Sequence, residues 1–121
     1  MTRRVVAAVE NPYVNILAHP TARLIGKRDP IDVDLEAVFG AAAKAGTAIE
    51  LNAYPNRMDL TGSQGRAAKE AGCRLTVDTD SHASSELAAM RFGIGTARRA
   101  WLTSEDVVNA WRLEKVRAFL R

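Results

Sequence analysis

Arg74-Leu-Thr-Val-Asp-Thr-Asp-Ser-His82 combines two signals, one structural and one chemical. It begins as a short apolar strand and ends in Asp-x-His. In extended backbone, alternate side chains share a face. Asp80 and His82 are therefore expected to point the same way, with Asp78 behind them, while Leu75 and Val77 face the other side and pack. A carboxylate oxygen beside a neutral imidazole nitrogen suits Zn2+, Mn2+ or Fe2+, whereas three carboxylates would suit Mg2+ or Ca2+. A plainer reading stands beside this one: Asp80 or Ser81 caps the next helix and His82 is a surface residue.

Two further strands lie upstream. Tyr13-Val-Asn-Ile-Leu-Ala18 is short, apolar and ends at His19-Pro20, and Ala48-Ile-Glu-Leu-Asn52 is the second. Between them Leu35, Val38, Phe39 and Ala42 fall at helical spacing. Asp32 or Asp34 is placed to cap this helix and Gly46 to close it. Ala53 to Asp59 carries Pro-Asn turn chemistry. Ser63 to Ala71 reads as a helix closed by Gly72, and Glu86 to Phe92 as another, capped by Ser84 or Ser85 and broken by Gly93-Ile-Gly95. Thr103-Ser-Glu-Asp106 resembles a capping box ahead of Val107 to Trp111, and Leu113, Val116 and Leu120 mark a last amphipathic helix. Thr2 to Glu10 is a helix stopped by Asn11-Pro12.

The order is a helix, three strand–helix units and a helical tail, an α/β arrangement with parallel strands. The strands read as apolar runs buried on both faces. Ligands in such folds gather at the carboxyl ends of the strands. Here those ends carry His19, then Glu50 and Asn52, then Asp80 and His82. Their shared placement points to a metal or phosphate site. Three strands alone leave two sheet edges, which invite association unless covered.

With 121 residues, 47% hydrophobic and 26% charged, the chain has the size and composition of one globular domain. Nothing in it is long and apolar enough for a membrane span, and the basic start of Met1–Glu10 reads as a helix rather than a secretory signal. The single Cys73 cannot form an internal disulfide, which points to a reducing cytoplasm. A formal charge of +3 permits a phosphate-rich partner.

His19-Pro-Thr21 and Asp80-Ser-His82 together resemble the C-terminal half of a PHP (polymerase and histidinol phosphatase) domain, above all that of family X DNA polymerases. Residues 1–121 carry the likeness almost throughout, notably in Ala48-Ile-Glu-Leu-Asn-Ala53, Pro55-Asn-Arg-Met-Asp-Leu60 and Gly93-Ile-Gly-Thr-Ala-Arg-Arg99. The resemblance implies part of a distorted (β/α)7 barrel with a metal centre at its carboxyl mouth. It implies phosphoester hydrolysis with Mn2+ first, or Zn2+ or Fe2+, as a 3′–5′ exonuclease on DNA 3′ ends. By this resemblance His19, Asp80 and His82 are the metal ligands, with Asp80 and His82 catalytic; Arg23, Asn52 and Arg98 are the candidates to hold the substrate, beside the plainer reading of each arginine as solvated surface. The sequence departs from the family pattern in lacking its opening His-x-His and the His and Glu ligands of its middle motifs; His19 and His82 are its only histidines. Ala22 also stands where the family has Gly. The chain alone is thus expected to be an incomplete catalytic unit, lacking the first barrel strands and the polymerase domain. The competing expectations are a non-enzymatic half-barrel, a piece that completes a barrel with another chain or a second copy, and a phosphatase of small metabolites.

Overall fold

The computed structural model describes all residues from Met1 to Arg121. Helix α1 (Thr2–Val9) leads to β1 (Ile16–Leu17), α2 (Leu35–Ala45), β2 (Ala48–Asn52), α3 (Gly62–Glu70), β3 (Leu75–Asp78), α4 (Met90–Arg99) and α5 (Leu113–Phe119), with short 3-10 segments at Ser84–Ala89 and Val108–Ala110. The three strands form one parallel sheet in the order β1-β2-β3. No helix is long and apolar enough to cross a membrane.

Local chemistry sets most helix limits. The Asp34 carboxylate accepts the Ala37 N–H at 3.0 Å, and Gly46 closes α2 at φ 74°, where an L side chain is disfavoured. Helix α3 starts at Gly62, one residue before the expected Ser63. Thr61 and Gln64 form a reciprocal capping box. Strand β1 is shorter than the apolar run of 13–18 suggests. The Asn11 side chain accepts the Tyr13 N–H and its carbonyl accepts the Val14 N–H, so a turn delays entry to the sheet and leaves Tyr13 exposed.

The strands are not apolar on both faces. Ile49, Leu51, Leu75 and Val77 project to one side, where Val38, Phe39 and Ala42 of α2, Ala68 of α3 and Ala97 of α4 cover them. The other side carries Glu50, Asn52, Thr76 and Asp78. All helices that cover the sheet therefore stack on a single face, as the outer layer of a barrel wall does. Helices on both faces would have made a doubly wound sheet.

Gly93-Ile-Gly95 does not break a helix. Helix α4 runs straight through it, and the preceding Ser84–Ala89 turn is 3-10. The reason is contact. A Cβ on Gly93 would lie 2.7 Å from both Ala53 Cβ and Val77 Cγ1, so only glycine lets α4 approach the sheet this closely. The Thr103–Asp106 box forms, with Asp106 Oδ2 accepting the Thr103 N–H at 2.8 Å, but a 3-10 turn follows it rather than a helix. That turn carries Asn109 to the free side of β3. Its amide accepts the Val77 N–H at 3.0 Å and donates to the Val77 carbonyl at 2.6 Å, replacing the missing neighbour strand. Leu75 N–H adds a bond to the Asp106 carbonyl at 2.9 Å. Helix α5 buries no residue fully. The tail is held by the Trp111–Phe119 edge contact at 5.8 Å and by Arg121, whose guanidinium donates to the Ala45 carbonyl at the end of α2.

Gly93→Ala is expected to cost about 1–3 kcal/mol in urea unfolding, through overpacking. Gly95→Ala, at an open position in the same helix, is expected to gain about 0.5–1 kcal/mol. Equal midpoints for the two variants would contradict the close helix–sheet contact.

Candidate metal and phosphate site

The polar ends of the strands meet around Glu50 on the central strand. This carboxylate is only 5% exposed, so it must be satisfied by protein donors. Glu50 Oε2 accepts the His19 backbone N–H at 2.7 Å and lies 3.1 Å from His19 Nδ1. Asn52 is fully buried beside it. Its Oδ1 accepts the Tyr54 N–H at 2.9 Å, which turns Nδ2 toward Glu50 and His19. Glu50 Oε2 and the Asn52 amide both meet His19 at Nδ1, which anchors the ring from that side and leaves Nε2 facing outward. Asn52 thus sits behind His19 as a positioning group rather than opening to solvent.

His19 Nε2 faces Asp80 Oδ2 at 3.6 Å. Two ligands of one tetrahedral ion, at bonds near 2.1 Å, lie about 3.4 Å apart. The pair therefore fits one edge of a metal centre. The residues of this chain do not close a full centre: no group of three His, Cys, Asp or Glu side chains is disposed to hold an ion. His82 stands apart because the extended backbone stops at Asp78, and Asp80 adopts φ 50°. Alternation along the strand is lost there, so Asp80 and His82 do not share a face by register. His82 Nδ1 instead lies 2.7 Å from the Asp80 carbonyl, which places the proton on Nδ1 and leaves Nε2 free. Its backbone N–H donates to Glu86 Oε2 at 2.6 Å.

Two loops build the wall beside this edge. Asn52 and Asp59 pair antiparallel, so the Ala53–Met58 loop folds back on its own strand. Buried Asp59 then accepts the Thr21 N–H at 3.1 Å, tying down the loop that begins at His19. Arg23 completes the tie. Its guanidinium donates to the Arg57 carbonyl at 2.7 Å and also to the Met58 carbonyl. Arg23, an expected substrate cation, is thereby engaged with backbone. Arg57 takes the position next to the site, with Nε 3.8 Å from Asp80 Oδ2. It is the fold-back of this loop, through the Asn52–Asp59 pairing, that brings Arg57 there. Arg98 lies in the last turn of α4 and lines a separate cavity with Val77, Met90 and Ile94.

The loops carry local strain. His19, Ala22, Met58 and Asp80 all have φ between 46° and 53°. Such left-handed conformations in residues with a Cβ cluster at functional sites. Two buried hydroxyls, Thr21 Oγ1 and Thr76 Oγ1, have no partner, and Thr76 lies on the polar side of the sheet. Asp78 is pushed up to about 7 by burial first, then by a hydrogen bond and charge repulsion from Glu50. Cys73 lies elsewhere, beneath the Phe39 carbonyl. Burial raises its thiol to about 11 and leaves it unreactive.

The chain is 40% identical over 119 residues to a DNA polymerase/3′-5′ exonuclease PolX of Bacillus subtilis (strain 168), a match that takes 98% of this chain and 21% of that protein. It is 28% identical over 127 residues to a probable phosphatase of Thermoanaerobacter sp. (strain X514), covering 99% of this chain and 49% of the phosphatase. A probable phosphatase of Shewanella sp. (strain ANA-3) is 32% identical over 92 residues, covering 71% and 34% respectively. The chain therefore spans about a fifth of the polymerase and half or less of these phosphatases. No family model matches it.

Asp78 gives a pH signature. Its folded value of about 7 stands above the ordinary 3.8, so the folded chain keeps a proton that the unfolded chain has released. The stability this contributes is complete below about pH 4 and is lost as the pH rises through 7. The melting temperature is expected to fall between pH 5 and pH 8, and Asp78→Asn should flatten that slope. An unchanged slope in the variant would assign the effect to another group. Ala22→Gly relieves a left-handed alanine and is expected to raise stability by up to about 1 kcal/mol in the same melts.

Proposed function

We propose that residues 1–121 form the C-terminal portion of a PHP-type barrel whose metal-dependent phosphoesterase activity processes DNA 3′ ends, and that this portion supplies one wall of the active centre. The observation that carries the reading is the Glu50–His19–Asp80 line, with His19 Nε2 aimed at Asp80 Oδ2 at the carboxyl ends of the parallel strands. The single-sided helix layer and the polar inner face of the sheet support a barrel wall. The likeness to a polymerase with a 3′-5′ exonuclease name supports nucleic acid as the substrate.

His19 and Asp80 would hold the ion from one side. His82 stands apart from this pair, and its bond to the Asp80 carbonyl leaves an Nε2 that would be free to join them. When bound there, Mn2+, or Zn2+ or Fe2+, supplies Lewis-acid polarisation of a phosphoryl oxygen and makes a water nucleophilic near neutral pH. The remaining work falls to protein groups. Glu50 and Asn52 hold the His19 ring from its Nδ1 side and fix the ring plane. Arg57 exchanges its long contact with Asp80 for the non-bridging oxygens of the phosphate, a planar donor fork matched to that geometry. Asn52 holds Glu50 and Tyr54 in place around both. In this reading the rest of the ligand set comes from barrel strands that join the sheet beside β1, from a longer polypeptide or another chain. A second reading, hydrolysis of small phosphoesters, is favoured by the likeness to probable phosphatases.

The test is a thermal melt after chelation, repeated with Mn2+ in excess. An ion that binds only the folded chain at about 100 times its Kd adds roughly 2.7 kcal/mol. The upward shift is expected in the wild type, is lost in Asp80→Ala and His19→Ala, and is reduced in His82→Ala. A 3′-labelled oligonucleotide and a small aryl phosphate, compared in turnover assays, separate the two substrate classes. A cooperative melt that Mn2+ leaves unmoved in every form would sink the metal reading.

A further inference from the structure

We propose that the outer face of α4 is a binding track for single-stranded nucleic acid. Residues 87–104 contain three arginines and no acidic residue. Arg91, Arg98 and Arg99 are exposed, and none is paired with a carboxylate. Arg91, Gly95 and Arg98 share one helical stripe, and Phe92, Gly95 and Arg99 the next. Apolar side chains are exposed along the same stretch: Leu87 at 60%, Phe92 at 38%, Ile94 at 43% and Trp101 at 64%. The aromatic rings are already flanked by guanidinium groups. Arg91 lies 4.7 Å from the Phe92 centroid, and Arg66 of α3 lies 3.6 Å from that of Trp101.

Charge complementarity selects the occupant. Unpaired arginines interleaved with exposed rings are the combination that tracks a phosphate backbone while stacking on unpaired bases. Duplex DNA offers the phosphates but keeps its bases stacked inside, so the rings favour a single strand. From Arg91 to Arg99 the helix rises roughly 12 Å, about three phosphate steps of a stacked strand at 3.4 Å each. At its N-terminal end, α4 opens into a cleft of about 260 Å3 whose lining includes Tyr54, Asn56, Arg91 and Phe92, with one carboxylate, Glu86, among them. Tyr54 and Asn56 belong to the same fold-back loop as Arg57, so the track leads to the His19–Asp80 edge. Only that end point rests on the function proposed above; the binding face does not need it.

The experiment is fluorescence anisotropy of a labelled oligothymidylate with the 121-residue chain, at low salt, in chelator so that no hydrolysis intervenes. Arg91→Glu/Arg98→Glu is expected to weaken binding by at least about tenfold and to lower the slope of log affinity against log salt by roughly 1.4, at 0.7 per lost phosphate contact. Arg3→Glu/Arg4→Glu, which makes the same charge change on exposed residues of α1, is expected to weaken it far less. Trp101→Ala should abolish oligonucleotide-dependent quenching of tryptophan emission, and Trp111→Phe should retain it. The substituted α4 side chains are exposed, and an unshifted thermal midpoint verifies the fold. Equal losses in both charge variants, no measurable binding at low salt, or binding to phosphatidylserine vesicles without binding to the oligonucleotide would each overturn the proposal. Loss of Mn2+ stabilisation in the wild type, with the track intact, would count against the proposed hydrolysis alone.

Discussion

One oxygen atom, Glu50 Oε2, holds the polar end of this sheet in place. It sits on the middle strand, almost sealed from water, and a buried carboxylate there must be met by donors or be neutralised. The His19 backbone, the His19 ring and the Asn52 amide all converge on it. The loop after β1, the ring orientation of His19 and the turn after β2 are consequences of satisfying that one group. Asp78, buried first and then crowded by the same carboxylate, is pushed up to about 7. Positive charge at the site is correspondingly sparse: Arg57 is the one guanidinium near Asp80.

Buried Asp59 plays the complementary part outside the sheet. It ties Thr21 to the end of the fold-back loop, while Arg23 clamps the carbonyls of Arg57 and Met58. These tertiary ties hold four non-glycine residues at positive φ, conformations that cost of order 1 kcal/mol or more each. The apolar side of the sheet contributes the compensating stability through the cluster around Ile49, Leu60 and Leu75. Rigid packing on one face thus supports strained geometry on the other.

The sequence was legible where local chemistry decides the outcome. Asp34 and Gly46 bound α2 because capping is a matter of a few neighbouring residues, and Ala48–Asn52 is a strand as its pattern suggests. His19, Glu50 and Asp80 could be picked out because parallel strands deliver their terminal residues to one edge. Other features depend on contacts remote in sequence. Gly93 reads as a helix breaker and is in fact a contact point for two strands. The place of Arg57 is likewise set by tertiary structure, because the Asn52–Asp59 pairing brings its side chain to Asp80. The turn at Asp80 removes the simple alternation that would have placed His82 alongside it.

The amide of Asn109 has a consequence for how the sheet can grow. By occupying both hydrogen-bonding groups of Val77, it gives β3 a finished border, while β1 pairs on one side only. Sheet extension is therefore polar: a new strand has one flank on which to register. Two copies meeting through that flank would pair like with like and close on themselves, since neither retains a second receptive border. A single carboxamide at the far side thus separates a molecule that accepts one neighbour from one that could propagate into an open-ended stack.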